Sequence, residues 1–306
     1  MKRKSEHHPI FEIADSRLLL QSGSTSAFSV EDSTSYVAIK ARAVELRNLF
    51  EKHNLSPQKS STLTKLINDA VELSDAWLCN TMDQISFNHL LSAFQIDRIA
   101  MAALPIGAHN DAKAVLSSLL KGSINLLDRE QSKAKDTLWE LELLGILTSH
   151  GIDARLGEPD IIVTFEGTRV GIACKKFYSE LNVSKVLSQA VAQIERDLDF
   201  GIVALNIDDT LPANVLLKAA TVEDMAGSLT DRNYDFLRNH ERHLKRYLTP
   251  GRALSALVSC SSIADVTSAK QRFMNARQST VWHVPGLSQA KDQQMKYFFE
   301  AINSQY

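Results

Sequence analysis

The stretch EPDIIVTFEGTRVGIACKK, residues 158–176, decides the fold of this 306-residue chain. Two apolar runs, 160–165 and 168–177, fall within this stretch and the residue that follows it, and both have the composition of β-strands. Gly167 lies between the two runs and suits the tight turn of a β-hairpin. The stretch therefore predicts two neighbouring antiparallel strands, and the rest of the chain can be placed around them.

Two charged side chains lie at adjacent ends of this hairpin. Asp160 heads the first strand, and Lys175 is near the end of the second. Because alternate residues of a strand share a face, Ala173 and Lys175 point together, whereas Cys174 points the opposite way. No histidine is near Cys174 in the sequence, so we interpret it as a buried structural cysteine and not as an activated nucleophile.

Hydrophobic periodicity on either side of the hairpin predicts the order helix, three strands, helix, strand. The predicted bounds are 134–151 for the first helix, 153–156 for the first strand, 183–198 for the second helix and 201–207 for a fully apolar last strand. The C-terminal third adds a charged helix at 228–247, strands at 253–260 and 280–284, and a helix at 287–302. Such alternation of strands and helices predicts one extended α/β sheet.

This order, together with Asp160 and Lys175, resembles the core of the PD-(D/E)xK nuclease superfamily, which is also called restriction endonuclease-like. The resemblance covers residues 134–208, and Ala173 departs from it, because the motif usually has an acid there. It implies an α/β fold, an αβββαβ core with a mixed central sheet. It also implies metal-dependent hydrolysis of DNA phosphodiesters with Mg²⁺ or Mn²⁺, and a protein that dimerises and serves in bacterial antiviral defence. An engineered replacement of a glutamate would explain Ala173 equally well.

The resemblance assigns roles to individual residues. Asp160 would bind the metal, and Lys175 would position water and stabilise the transition state. Glu140, eleven residues before the helix-ending Gly151, matches a helical glutamate that completes the metal site in the restriction-like branch. Glu142 is two residues further on and faces elsewhere on the helix.

Two further contributions to the site follow from the same resemblance. The backbone carbonyl of Ala173 or Cys174 would also bind metal in place of the missing acid. Gln189 would be a secondary contact, since it and Gln193 are four residues apart on one face of the following helix.

Each of these residues also has an ordinary structural interpretation. Asp160 suits a turn, Lys175 suits a strand end, and Glu140 and Gln189 suit solvent-facing helix positions. The alternative function is a catalytically degraded nuclease-fold module that binds nucleic acid or assembles with protein. A helical regulatory protein with an α/β appendage is a third interpretation.

The sequence predicts three units. These are a flexible N-terminal arm at 1–33, a helical accessory domain at 34–130 and the nuclease-like domain at 131–306. Helices are predicted at 36–54, 61–82 and 87–104, with a fourth after residues 110 and 111. These helices carry no catalytic constellation, so they indicate an accessory role.

Composition limits the classes of partner. The chain has 34 Lys and Arg against 36 Asp and Glu, so DNA binding would depend on a local patch. Helix 228–247 is the most basic segment, and a solvated face explains it better than a track for phosphates. Three cysteines form no CxxC pair, and we expect no signal peptide and no membrane-spanning run. These features predict a cytoplasmic protein.

Overall fold

A computed structural model describes residues 10–13, 16–21, 35–194, 198–249, 252–269, 272–284 and 286–303. The helices are α1 (Tyr36–Lys52), α2 (Thr62–Leu78), α3 (Phe87–Ala103), α4 (Ala112–Leu119), α5 (Lys133–Ser149), α6 (Val183–Gln193), α7 (Val222–Tyr247) and α8 (Gln289–Asn303). The strands are β1 (Ile10–Ile13), β2 (Ser16–Gln21), β3 (Asp153–Leu156), β4 (Ile161–Phe165), β5 (Thr168–Lys176), β6 (Phe200–Asn206), β7 (Leu217–Ala219), β8 (Ala253–Val266) and β9 (Phe273–His283). The protein is thus a mixed α/β fold with a helical N-terminal region, as the sequence predicts.

All described strands join one curled, mixed sheet in the order β1-β2-β9-β8-β6-β5-β4-β3, with β7 paired to β8. The hairpin between β4 and β5 turns at Glu166 and Gly167, whose φ angles of 48° and 77° are both positive, as a type I′ turn requires. Strands β3, β4 and β5 are antiparallel neighbours, whereas β5, β6 and β8 run parallel. The predicted strand order between residues 153 and 206 is therefore confirmed.

Hydrophobic side chains cover both faces of the sheet in two separate clusters. One cluster joins α1–α5 and α8 to one face and includes Trp139 and Cys174. The other joins α6 and α7 to the opposite face and includes Ala173 and Phe236. The predicted alternation of Ala173 and Cys174 is confirmed, because the two neighbours belong to opposite clusters.

Three elements of the C-terminal third are longer than predicted, and one of them is β9, which begins at Phe273 instead of residue 280. Helix α7 begins at Val222 instead of residue 228, because Thr221 and Asp224 form a reciprocal capping box that satisfies its first backbone N–H groups. Strand β8 continues to Val266 instead of ending at residue 260. The second half of β8, from Ser261 onward, contains polar residues and pairs with β9. Local sequence patterns do not predict this pairing.

The sequence predicts a flexible arm at residues 1–33, but two short segments of it form strands. Strands β1 and β2 form an antiparallel pair, and β2 continues the sheet along the edge of β9. Residues 1–9, 14–15 and 22–34 lie outside the described part, so the predicted flexibility there stays a prediction. An edge strand supplies unpaired backbone groups to any extended segment, and short-range sequence patterns do not record such pairing.

One helical stretch, Phe87–Ala108, is long and apolar enough to cross a membrane by length and composition alone. Pro105 and Gly107 lie within this stretch, and the sequence alone predicts a helix that ends at residue 104 and no membrane-spanning run. Of the 18 residues that meet this test, 67% are buried inside the protein, as in a core helix.

Candidate functional site

Asp160 and Lys175 come together at the end of the β4–β5 hairpin. The register pairs Ile161 with Ile172, so Asp160 precedes β4 directly opposite Ala173. The backbone N–H of Cys174 donates to Oδ2 of Asp160 at 2.7 Å, and Nζ of Lys175 lies 3.5 Å from the same oxygen. Because the Asp160 and Lys175 side chains are 16% and 20% exposed, the pair is accessible to solvent but largely enclosed.

Glu140 lies on α5, within electrostatic range of this pair. Its Oε1 lies 3.4 Å from Nζ of Lys133, and its side chain is 20% exposed. The pKa of Glu140 is raised chiefly by burial; Lys133 opposes this shift, and the negative charge of Asp160 adds to it. Asp160 and Lys175 both affect this pKa, so Glu140 is close enough to sense their charges, while its direct contact is with Lys133.

The pKa of Asp160 is also raised, mainly by burial, although Lys175 and the N–H of Cys174 lower it in part. Burial likewise raises the pKa of the Cys174 thiol well above its usual range, and the charges of Asp160 and Glu140 add to this shift. The thiol is therefore protonated at neutral pH, consistent with a structural role. Burial disfavours the charged forms of Asp160 and Glu140, and a bound cation would stabilise those charged forms.

The two backbone carbonyls proposed as ligands point in different directions. In an extended strand, the N–H and C=O of one residue point to the same neighbouring strand. Since the N–H of Cys174 points to Asp160, its carbonyl lies on that side as well. The carbonyl of Ala173 is directed to the other side, where β6 pairs with β5. Of the two, Cys174 is the carbonyl that fits a shared ligand set with Asp160.

Two sequence-predicted positions contribute less to this geometry. Ala173 is fully buried among apolar side chains and supplies no polar group. Gln189 is exposed on α6 and makes no hydrogen bond to another described residue. Gln193 differs from it, since its Oε1 is buried without a hydrogen-bond partner in the described part of the chain. Among the residues that the structure describes, no group of three or more His, Cys, Asp or Glu is placed to hold a metal ion.

Glu142, the neighbouring acid on α5, belongs to a different cluster, as its helical position predicts. It pairs with Arg98 and with Arg277, whose Nη2 lies 2.5 Å from Oε2 of Glu142. Arg98 also contacts Asp208 at 2.8 Å. Burial raises the pKa of Glu142, but Arg277 and Arg98 outweigh burial and the net pKa is lowered. Glu142 is therefore a structural anion.

The same buried network extends past the end of β6 and was not predicted. Lys176 lies 2.7 Å from Asp209, and Lys135 contacts both Asp209 at 3.3 Å and Asp128 at 2.6 Å. Lys176 also donates to Asn206 at 2.7 Å. The sequence signal for this network is the acidic pair Asp208 and Asp209, which follows the apolar strand β6. The carboxyl ends of strands are where α/β sheets concentrate functional groups.

Comparison with models of protein families, with curated proteins and with solved structures found no match to this chain.

Proposed function

We propose that this protein is a metal-dependent nuclease with a restriction-endonuclease-like core that hydrolyses DNA phosphodiester bonds. The observation that carries the proposal is the contact of Lys175 with Asp160 at one end of the β4–β5 hairpin, with Glu140 within electrostatic range of both. The element order from α5 to β6 supports it, because an antiparallel β3-β4-β5 unit is followed by α6 and a parallel β6.

The donor atoms of the site fit Mg²⁺ or Mn²⁺. Magnesium prefers oxygen ligands and is usually held by one or two carboxylates together with waters and substrate phosphate. Asp160 and Glu140 supply two carboxylates, and the carbonyl of Cys174 supplies a neutral oxygen on the same side. Burial raises the pKa of both acids, so a bound cation would stabilise their charged forms.

Each residue of the site has a separate task in the proposed reaction. A bound Mg²⁺ would lower the pKa of an attacking water and offset charge on the phosphate oxygens. Asp160 and Glu140 would hold that charge in place, and the N–H of Cys174 fixes the orientation of the Asp160 carboxylate. Lys175 would release its contact with Asp160, donate to the attacking water and stabilise the negative charge that develops on the phosphate oxygens.

A second candidate function is a nuclease-fold module that binds DNA without cutting it. Ala173 favours this alternative, since the position that faces Asp160 across the hairpin carries no acid. Such a protein would retain the fold and the binding surface but lack one of the charges that hold the metal. Cleavage and binding must therefore be measured separately.

The test is Mg²⁺- or Mn²⁺-dependent cleavage of supercoiled plasmid by the wild-type chain, by Asp160→Asn and by Lys175→Ala. Matched controls are Asp153→Asn on β3 and Lys185→Ala on α6, which remove the same charges from exposed positions. DNA binding is measured in parallel by fluorescence anisotropy at low salt with Ca²⁺ or EDTA. Thermal unfolding with and without Mg²⁺ or Mn²⁺ reports metal binding without any need for activity.

The nuclease proposal predicts cleavage by wild type and both controls, and a loss of about 100-fold or more in each site variant, since one charge-stabilising group contributes this much in other enzymes. It also predicts that metal raises the melting temperature of wild type but not of Asp160→Asn. Binding without cleavage in every protein would establish the second candidate. Cleavage that survives in both site variants would refute the assignment of the site.

A further inference from the structure

A cavity of about 240 Å³ lies beyond the carboxyl end of β6, and no residue of the Asp160 site lines it. Helices α3 and α7, the second half of β8 and the segment that follows β6 surround it. In sheets with parallel strands, small molecules bind outside the carboxyl ends of those strands. The volume is slightly below the lower limit of about 300 Å³ for typical ligand pockets, so the space suits a small molecule.

Much of the cavity lining is aliphatic. Leucines from three segments line it, together with Val215, which is 52% exposed at the surface. The lining contains no aromatic side chain and no acid except Asp208. Each CH₂ group of a ligand's aliphatic chain that is buried against this surface should tighten binding by about fourfold.

The cavity lining is also cationic. Arg98, Arg129 and Arg232 line it against the single carboxylate of Asp208. Arg129 is held by the carbonyl oxygens of Leu211 and Pro212, each at 2.6 Å, so it serves mainly to fix the wall.

The other two arginines keep donors that a ligand could use. Arg98 uses Nε and Nη2 for Glu142 and Asp208, which leaves its Nη1 without a hydrogen bond to a described residue. Arg232 makes no hydrogen bond or ion pair with any residue that the structure describes, although it borders the cavity.

The charges behind this wall do not cancel. The buried network joins five cations to four carboxylates: Arg98, Arg129, Lys135, Lys176 and Arg277 against Asp128, Glu142, Asp208 and Asp209. With Arg232 at the opening, these named groups together carry a positive excess of two charges. Because the surroundings are largely apolar, an anion at this wall is attracted more strongly than at an open surface.

We propose that this cavity binds a small amphiphilic anion, a carboxylate or a phosphate monoester on a short aliphatic chain. The acidic head group contacts Arg232 and the free Nη1 of Arg98, and the chain lies against the leucines. This binding site is independent of the Asp160 site and of the proposed nuclease activity.

The test is isothermal titration of the full chain with octanoate, octyl phosphate, octanol and inorganic phosphate. The variants are Arg232→Ala and Val215→Asp, which remove a cation and place an anion at the opening. Arg238→Ala is the matched control, because it lies on the same helix, is 71% exposed and does not line the cavity. Circular dichroism and melting temperature establish that each variant is folded, and both altered cavity residues are exposed.

The proposal predicts saturable binding of at least one octyl anion that is tighter than that of octanol or of inorganic phosphate. A charge-assisted hydrogen bond contributes about 1.5–3 kcal/mol, so Arg232→Ala should weaken binding by about tenfold or more. Val215→Asp should also weaken it, and Arg238→Ala should stay within about twofold of wild type. Preference for octanoate or for octyl phosphate identifies the head group.

Three results would overturn the proposal. The first is the absence of saturable binding of either octyl anion up to about 10 mM, where even a weak site would be detected. The second is octanol binding as tightly as the anions, because the arginines would then contribute nothing. The third is unchanged binding in Arg232→Ala, which would place the anion elsewhere on the protein.

Discussion

Replacing Glu142 by Gln is expected to destabilise the fold strongly, whereas the same replacement of Glu140, two residues earlier on α5, is not. The Glu142 side chain is 5% exposed and pairs with Arg98 and Arg277, which are 15% and 9% exposed. Glutamine has the same size but no charge, so two buried guanidinium groups would keep only Asp208 as an anionic partner. The Glu140 carboxylate, in contrast, is disfavoured by burial and by the charge of Asp160.

The expected magnitude follows from the cost of leaving a buried charge without its partner. Breaking a buried ion pair by removing one member typically costs about 3–5 kcal/mol. The entropy of unfolding is about 2.1 cal/mol/K per residue, or about 0.6 kcal/mol/K for this chain, so Glu142→Gln should lower the melting temperature by about 5–8 °C. Glu140→Gln should leave it unchanged or raise it.

The dependence on pH has opposite signs at the two positions. The folded-state pKa of Glu142 is lowered, so its stabilisation is complete above the unfolded value of about 4.3 and is lost as the pH falls through the folded pKa. The folded-state pKa of Glu140 is raised, so its charged form destabilises the protein above that pKa. The difference between wild type and Glu142→Gln should therefore shrink in acid, and any gain from Glu140→Gln should disappear there.

The assay is thermal unfolding by calorimetry together with urea unfolding, at neutral pH and in acid. An equal loss of stability in both variants, or a melting temperature of Glu142→Gln within about 1 °C of wild type, would refute the reasoning, since either contradicts the cost of an unpaired buried charge.

Other predictions concern packing and accessibility. Gly201→Ala should cost about 1–3 kcal/mol in urea unfolding, because a methyl group there would lie 2.5 Å from an Ile194 carbon. Gly145→Ala in α5 meets no atom within 4 Å and should instead stabilise by about 0.5–1 kcal/mol; equal effects would contradict this. One thiol, Cys79, should react rapidly with a thiol reagent in the native protein and all three in denaturant, because the other two are buried with raised pKa values. Trp77→Phe should remove the fluorescence that acrylamide quenches, since Trp77 is 54% exposed and the other two tryptophans are 1–2% exposed; residual quenching would refute it.

The hairpin and its two charged residues were predictable because their causes are local. Gly167 permits the turn, and strand alternation separates Ala173 from Cys174 whatever the rest of the chain does. Helical periodicity also separates Glu140 from Glu142. Periodicity could not say which of the two acids faces Asp160, since that depends on how α5 rotates against the sheet.

The buried network and the cavity could not be predicted, because their members come from distant parts of the chain. Glu142 meets Arg98, which is 44 positions earlier, and Arg98 meets Asp208, which is 110 positions later. A buried charge in the sequence looks the same as a solvated one until its partners are known. The second half of β8 could not be predicted for the same reason. Its serines are typical of a loop, and they belong to a strand because they pair with β9.

The sequence by itself determined the order of elements from α5 to β6 and the positions of Asp160 and Lys175 on adjacent strands. Only the tertiary structure decided that Glu140 lies within electrostatic range of them while Glu142 pairs with arginines, and that a cationic cavity lies beyond β6. The physical reason is that turns, caps and periodicity depend on neighbours within about one turn of chain. Ion pairing and burial depend instead on which surfaces the fold brings together.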